Sequence, residues 1–321
     1  MKKWLQVTLL VLLLALAGSL LLERQAMVDW WHLRGYSPPA VVAQLAHGDT
    51  MTAKAEHLFY VNRPRVTNGK TFTSACPAGG EKTVVLGCYI GNDNGIYVYA
   101  VNDSRLNGVE QVTAAHEMLH AAYRRLSGTE RKRVDALLLD YYYHGLVDQR
   151  IKDTITAYRQ SEPNDVVNEM HSIFGTEIAN LPAPLEAYYR QYFIDRSRLA
   201  VYTASYQGEF TSRQAQVAAY DTQLKSLNGQ ISANEGELTQ RKAALDTQNT
   251  QLQSLRKSGQ AAAYNQAVAS YNQSVSAYNS LLQQTKDLIS QYNSIVDKRN
   301  SIVLEEQQLT QELSAAPLEG Q

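Results

Sequence analysis

The chain has 321 residues, with 30 basic and 31 acidic side chains and a formal net charge of −1 at pH 7. Because opposite charges are interspersed and no basic patch with interleaved aromatic residues occurs, the composition argues against nucleic-acid binding. Glycine-rich phosphate loops and nucleophile elbows are also absent from the sequence, which leaves nucleotide-binding and serine-hydrolase functions without support.

The N-terminus has the pattern of a membrane anchor. Lys2 and Lys3 precede an uncharged, apolar run from Trp4 to Leu22, long enough to cross a bilayer core of about 30 Å as a helix. The positive-inside rule keeps both lysines in the cytoplasm. Residues 1–22 are therefore predicted to be a retained single-pass signal-anchor at the cell membrane, with all later domains extracytoplasmic. Cleavage after Ala17 is the alternative.

The remaining chain divides by composition into a linker, a first domain, a long helical segment and a tail. We expect a linker over 23–37, in which Trp30 and Trp31 could sit at the outer membrane interface. The first domain is predicted over 38–206.

Two β-rich runs, Thr83–Ile90 and Ile96–Val101, flank the turn residues Gly91–Gly95 and predict a β-hairpin. Cys76 and Cys88 are the only cysteines in the chain. A disulfide between them could hold the intervening loop against the first strand of the hairpin, which implies an oxidising compartment. A pair of free thiols is the alternative.

The most informative motif is His116-Glu117-Met118-Leu119-His120. Residues four apart share one face of a helix, so both histidines can bind one metal ion while Glu117 lies beside it to activate a water. Chance should produce this motif in roughly one chain of this composition in a hundred. The alternative reading is a solvated helix that carries two histidines by coincidence.

A catalytic zinc site usually has three protein ligands, so a third must come from elsewhere in the chain. The segment Asn168–Glu177 offers Glu169 on a predicted helix that begins at Ser161 and ends at Gly175. Glu177 and His171 in the same segment are rival third ligands.

With these residues, the chain resembles the gluzincin group of zinc metallopeptidases, over roughly residues 97–193. The resemblance implies that Zn²⁺ is bound by His116, His120 and Glu169, and that Glu117 is the general base. It also implies a zincin-like α+β domain, mainly helical with a small antiparallel sheet, whose edge strand binds the substrate backbone. An ordinary structural hairpin is the alternative for that strand.

One departure from the gluzincin pattern follows Glu169. Many members of the group have an aspartate one turn later that orients the first histidine, whereas this chain has Ser172 and Ile173 there. The partner that orients the first histidine is therefore left open.

Two helical stretches follow the zinc motif within the first domain. Thr129 opens a helix that continues to His144 and ends at Gly145. A helical pattern also runs from Leu185 to Tyr206.

A long antiparallel coiled-coil hairpin is predicted over 207–315, followed by a disordered tail over 316–321. Ser258-Gly259-Gln260 interrupts two heptad series. The first series is Val217, Leu224, Ile231, Leu238, Leu245 and Leu252, and the second is Val268, Val275, Leu282, Ile289, Val296 and Val303. Tyr-Asn pairs recur along the second arm. Their tyrosines are predicted either to pack in the seam between the helices or to form a binding surface. The same heptads could instead pair with a partner protein or a second copy of the chain.

The sequence thus predicts a membrane-anchored, extracytoplasmic zinc metallopeptidase that hydrolyses peptide bonds of protein or peptide substrates with an activated water. A catalytically silent coiled-coil scaffold is one alternative. A zinc amidase that acts on cell-envelope material is the other.

Overall fold

The computed structural model describes residues 24–77, 85–91 and 95–314. The described chain is mostly helical, with a small three-stranded sheet and a pair of long helices in contact, which confirms the coarse fold class predicted from the sequence. It divides into two compact units. One runs up to Glu209 and also takes in the chain from Leu309, while the other is Phe210–Gln308.

The elements up to the helix that carries His116 and His120 are α1 (Arg24–Leu33), α2 (Ala40–Gly48), α3 (Ala53–Val61), β1 (Arg65–Thr67), α4 (Gly69–Ala75), β2 (Gly87–Ile90), β3 (Gly95–Tyr99) and α5 (Val109–Arg124). Those that follow are α6 (Gly128–Asp140), a π-helical turn (Tyr141–Gly145), α7 (Gln149–Ser161), α8 (Val166–Glu177), α9 (Ala183–Tyr189), α10 (Ser197–Lys257) and α11 (Ala261–Glu312).

The sheet is mixed rather than antiparallel. β2 and β3 form the predicted antiparallel hairpin, in which Cys88 pairs with Tyr97. β1 adds to the other side of β3 in parallel, giving the order β1-β3-β2. The sequence does not predict β1, because three residues after Pro64 are too few for an alternating pattern to be recognised.

The core of the first unit is built around α5. Met118 and Leu119 on this helix are fully buried, and Leu119 meets α8 at Gly175. A Cβ atom on Gly175 would lie 2.5 Å from a methyl carbon of Leu119 and 2.8 Å from the ring of Tyr189. The glycine therefore lets α8 approach α5 and α9 closely, which is why it lies within α8 rather than ending it.

The interval 23–37, predicted as a linker, contains α1 in the structure. This helix is tied to the first unit through the buried Asp29, which pairs with Arg125 and with His57 on α3. The predicted membrane span 1–22 lies outside the described residues. Within the described ranges, no helix combines the length and the apolar character needed to cross a membrane.

The second unit consists of the long parts of α10 and α11. Their contacts run antiparallel, since Asp221 pairs with Arg299 at 2.5 Å and Arg241 donates to the Ala277 carbonyl at 2.8 Å. The first heptad series is half-buried along its whole length. The second series on α11 is also half-buried except at Ile289, which is 38% exposed, whereas Leu281 and Thr285 outside the series are buried.

Two helix boundaries also differ from those expected. Ser161 ends α7 instead of opening the next helix, and α8 begins at Val166 after a turn that contains Pro163. The pattern from Leu185 to Tyr206 is split between α9 and α10, because the intervening chain turns to form a β-bridge between Met51 and Phe193.

Candidate metal centre

Helix α5 carries His116, Glu117 and His120 in a buried position. The helix begins after Gly108, whose positive φ of 101° suits glycine, and a Cβ atom there would lie 2.7 Å from Tyr202. Alanines and other small residues around the motif are buried. The side chains of His116 and His120 are only 16% and 10% exposed, so the helix is not the solvated one of the alternative reading.

Helix α8 brings Glu169 to the two histidines. Its Oε2 lies 3.6 Å from His116 Nε2, and its Oε1 lies 3.4 Å from His120 Nε2. One ligand atom from each of the three side chains lies within 4.8 Å of the others. Tertiary packing thus places Glu169 beside both histidines of the motif.

The two distances from Glu169 to the histidines are close to the spacing of ligands around zinc. Metal–ligand distances of 2.0–2.2 Å imply ligand atoms about 3.3–3.6 Å apart, which is longer than an ordinary hydrogen bond. Glu169 Oε2 and His120 Nδ1 are buried and have no hydrogen-bond partner among the described residues. Two imidazoles and a carboxylate are also ligand types that zinc prefers, so the residues present fit the ion.

The charge state of Glu169 suits a metal ligand as well. Burial acts to raise the pKa of this carboxyl, but His120 and His116 outweigh it and hold the pKa below its ordinary value of 4.5. The group is therefore an anion near neutral pH. A buried anion is stable only when a cation compensates it, and a divalent ion at this point would do so.

The two rival third ligands are placed differently. Glu177 lines the same cleft, but its Oε2 accepts a hydrogen bond of 2.7 Å from Arg150, which neutralises it. His171 is completely buried, and its Nε2 lies 2.8 Å from the Tyr188 hydroxyl. Burial, with smaller contributions from His120 and His116, lowers the pKa of His171 to about 3. Its position in the core also removes it as a group that could meet a substrate oxyanion.

Glu117 lies against strand β2. A Cβ atom on Gly87 would be 2.8 Å from Glu117 Oε1 and 2.5 Å from the Thr113 methyl group. Gly87 therefore leaves the room that the Glu117 carboxylate occupies beside the strand. The sequence analysis did not single out Gly87. The one feature that could have pointed to it is the presence of a glycine inside a β-rich run.

The three candidate ligands and Glu117 line one open cleft of about 570 Å³. One wall is β2, an edge strand of the described sheet, from which Gly87, Cys88 and Tyr89 contribute. Other polar and charged side chains along the cleft are Arg124, Arg131, Glu162, Asp165 and Glu177. The cleft is thus polar, accessible and bordered by backbone that no further described strand pairs.

The predicted disulfide is present and supports this wall. Cys76 and Cys88 are bonded, and Cys88 lies on β2 beside the cleft. The bridge therefore joins the edge strand to the end of α4.

Ser172 does not orient the first histidine of the motif. Its hydroxyl is buried without a hydrogen-bond partner among the described residues. Asn168, which precedes Glu169, was assigned no role from the sequence. It is 8% exposed and lines the cleft next to Glu169. Its Oδ1 is buried and also finds no partner in the described part of the chain.

Comparisons with protein-family models, curated proteins and solved structures found no match to this chain.

Proposed function

We propose that the protein is a zinc metallopeptidase of the gluzincin type, with a zincin-like catalytic domain. The observation that carries this proposal is the position of Glu169, 3.4 Å from His120 and 3.6 Å from His116. A helix with two histidines is common. A buried carboxylate from a second helix at tetrahedral ligand spacing, with a glutamate of the same motif beside it, is what metal-assisted hydrolysis requires.

In this proposal His116, His120 and Glu169 hold the ion. Bound zinc supplies Lewis-acid chemistry, polarising a carbonyl and lowering the pKa of water toward about 7. Glu117 accepts a proton from the attacking water and passes it to the amine nitrogen as the peptide bond breaks. The hydroxyl ends on the carbonyl carbon, so the products are a carboxylic acid and an amine.

The substrate would be an extended peptide segment. β2 is an edge strand of the described sheet and borders the cleft, so its free backbone groups can pair with a peptide by β-addition. This mode recognises backbone rather than one side chain. It therefore favours a protein or peptide substrate over a compact small molecule.

We further propose that residues 1–22 anchor this domain to the cell membrane with the catalytic unit outside the cytoplasm, and that the disulfide reflects that oxidising compartment. The antiparallel contacts within the second unit favour an intramolecular coiled-coil hairpin over pairing with another chain. Association of whole hairpins with a partner or a second copy remains compatible with that arrangement.

The test is zinc content and hydrolysis by the full chain, purified in detergent and supplied with zinc. We expect about one zinc per chain and cleavage within a panel of peptides and proteins. Glu117→Gln should keep the zinc while its rate falls about 10²–10⁴-fold, the usual contribution of a general base. Glu162→Gln, which changes another glutamate of the cleft, is the matched control and should keep both.

The other possible results would each favour an alternative function or refute a residue's role. Equal hydrolysis by Glu117→Gln would refute the role of Glu117. Cleavage of cell-wall fragments but not of peptides would indicate the envelope amidase. Absence of zinc from metal-replete protein would leave the silent scaffold.

A further inference from the structure

Helix α1 presents an apolar stripe to solvent. Met27, Trp30 and Trp31 are 47%, 60% and 66% exposed, and with the exposed Arg34 they follow the spacing i, i+3, i+4, i+7 that defines one helix face. Arg24 extends the same face by one turn. Two adjacent tryptophans at this exposure are unusual on a surface that meets only water.

The opposite face of α1 is fastened to the catalytic unit. Asp29 accepts two hydrogen bonds from Arg125, at 2.7 and 2.9 Å, and lies 3.0 Å from His57 Nε2. The carbonyl of His32 accepts two more from Arg63, at 2.8 and 3.1 Å. The helix is therefore held at its middle and near its C-terminal end, while Met27, Trp30 and Trp31 stay exposed.

The residue types in this stripe, and its place next to the predicted membrane span, favour a lipid surface as its partner. Tryptophan is enriched where a protein meets the lipid headgroups, and flanking arginines are attracted to anionic lipid. Arg34 also stacks over the Trp30 ring at 5.2 Å. Only Glu23 separates the apolar run Trp4–Leu22 from Arg24, the first described residue of α1, so a chain anchored by that run would bring α1 to the bilayer surface.

We propose that α1 is a lipid-docking face, which lays the catalytic unit against an anionic bilayer through Met27, Trp30 and Trp31. The docking surface is distinct from the predicted span, since it belongs to the folded unit and determines how that unit is oriented.

The orientation has a consequence for the substrate, which rests on the proposed function. Arg125, the main anchor of α1, follows His120 by about 7–8 Å along α5 at 1.5 Å per residue. Docking of α1 would therefore bring the metal-binding residues of α5 toward the bilayer surface. Extended segments of membrane proteins close to the bilayer are then the substrates within reach.

The experiment uses the full chain with Trp4→Phe, so that Trp30 and Trp31 are its only tryptophans, reconstituted with vesicles that contain anionic phosphatidylglycerol. Brominated lipids quench tryptophan that enters the outer 5–10 Å of the acyl boundary. We expect vesicle flotation and about two-fold or greater quenching of the emission. A matched control replaces all three tryptophans by Phe and carries Tyr143→Trp, a residue that is 64% exposed elsewhere on the same unit; its emission should be unquenched.

Two results would overturn the proposal. They are tryptophan emission of the vesicle-bound protein that bromolipids leave unquenched, and equal quenching of the Tyr143→Trp reporter. Blue-shifted emission without bromolipid quenching would assign the stripe to a protein contact instead. None of these results depends on zinc or on hydrolysis, so failure of the docking proposal is distinguishable from failure of the proposed peptidase function.

Discussion

His120 Nε2 and Glu169 Oε1 lie 3.4 Å apart across two different helices, α5 and α8. This contact adds a third candidate ligand, from a second helix, to the two histidines of the α5 motif. It depends on the close approach of α8 at Gly175, because a larger residue there would meet Leu119 and Tyr189.

Substitution of the proposed third ligand should remove the metal. Glu169→Gln keeps the shape of the side chain and removes its charge, so zinc affinity should fall by more than about 100-fold, the upper end of what loss of a ligand's supporting partner produces. Glu177→Gln is the matched control, since Glu177 lines the same cleft but pairs with Arg150. Competition with a chromogenic chelator measures both. Loss of zinc in Glu177→Gln with retention in Glu169→Gln would reverse the assignment.

Gly87→Ala should impair activity without removing zinc. The new Cβ atom would lie 2.8 Å from Glu117 Oε1 and 2.5 Å from the Thr113 methyl carbon, so the carboxylate or the strand must shift. We expect the turnover rate to fall about 10-fold or more, as misplacement of a catalytic group produces. Gly208→Ala, whose added Cβ atom would have no neighbouring atom within 4 Å, is the control. Steady-state kinetics with parallel zinc analysis checks the prediction, and an unchanged turnover rate in Gly87→Ala would contradict it.

Asp29→Asn should destabilise the first unit in a pH-dependent way. Burial acts to raise the Asp29 pKa, but Arg125, Gln25 and His57 outweigh it and hold the pKa below 3.8. Because the folded-state pKa is depressed, the contribution to stability is complete above the unfolded value and is lost as pH falls through the folded one. The variant should therefore be less stable by about 2–3 kcal/mol at pH 7.

The same argument predicts that the difference between the wild type and Asp29→Asn shrinks below pH 3.8, the ordinary Asp value. Denaturant unfolding at several pH values measures it. A difference that stays constant from neutral to strongly acidic pH would show that the ion pair with Arg125 does not carry the effect.

Reduction of the disulfide should lower stability and activity together. The bonded cysteines are separated by 12 positions, and closing a loop of this size contributes about 2–3 kcal/mol. A reductant should lower Tm by about 5–10 °C for a unit of this size. Activity should fall as well, because Cys88 is on the strand that borders the cleft. In a Cys76→Ser, Cys88→Ser variant the reductant should have no effect, and thermal unfolding with and without it is the measurement.

The sequence by itself determined the features that depend on neighbours along the chain. His116 and His120 share a face because residues four apart on any α-helix do, and the same reasoning locates Glu117. The helix expected from Thr129 begins one residue earlier, at Gly128, behind a capping box of Ser127 and Glu130, and it passes into the π-helical turn at Tyr141. The first heptad series of α10 is likewise half-buried as expected, because its seven-residue repeat needs only a helix to line up.

Only the tertiary structure shows which of Glu169, Glu177 and His171 lies beside both histidines, since all three are plausible ligands by residue type and lie within one short segment. Packing of α8 on α5 aims Glu169 at the histidines. His171 is buried in the core with its Nε2 atom beside the Tyr188 hydroxyl, and Arg150 of α7 donates a hydrogen bond to Glu177. The approach of Gly87 to Glu117 and the attachment of α1 through Asp29 are of the same kind. Each contact joins residues far apart in the chain. Sequence periodicity and helix-capping residues do not indicate which surfaces pack together.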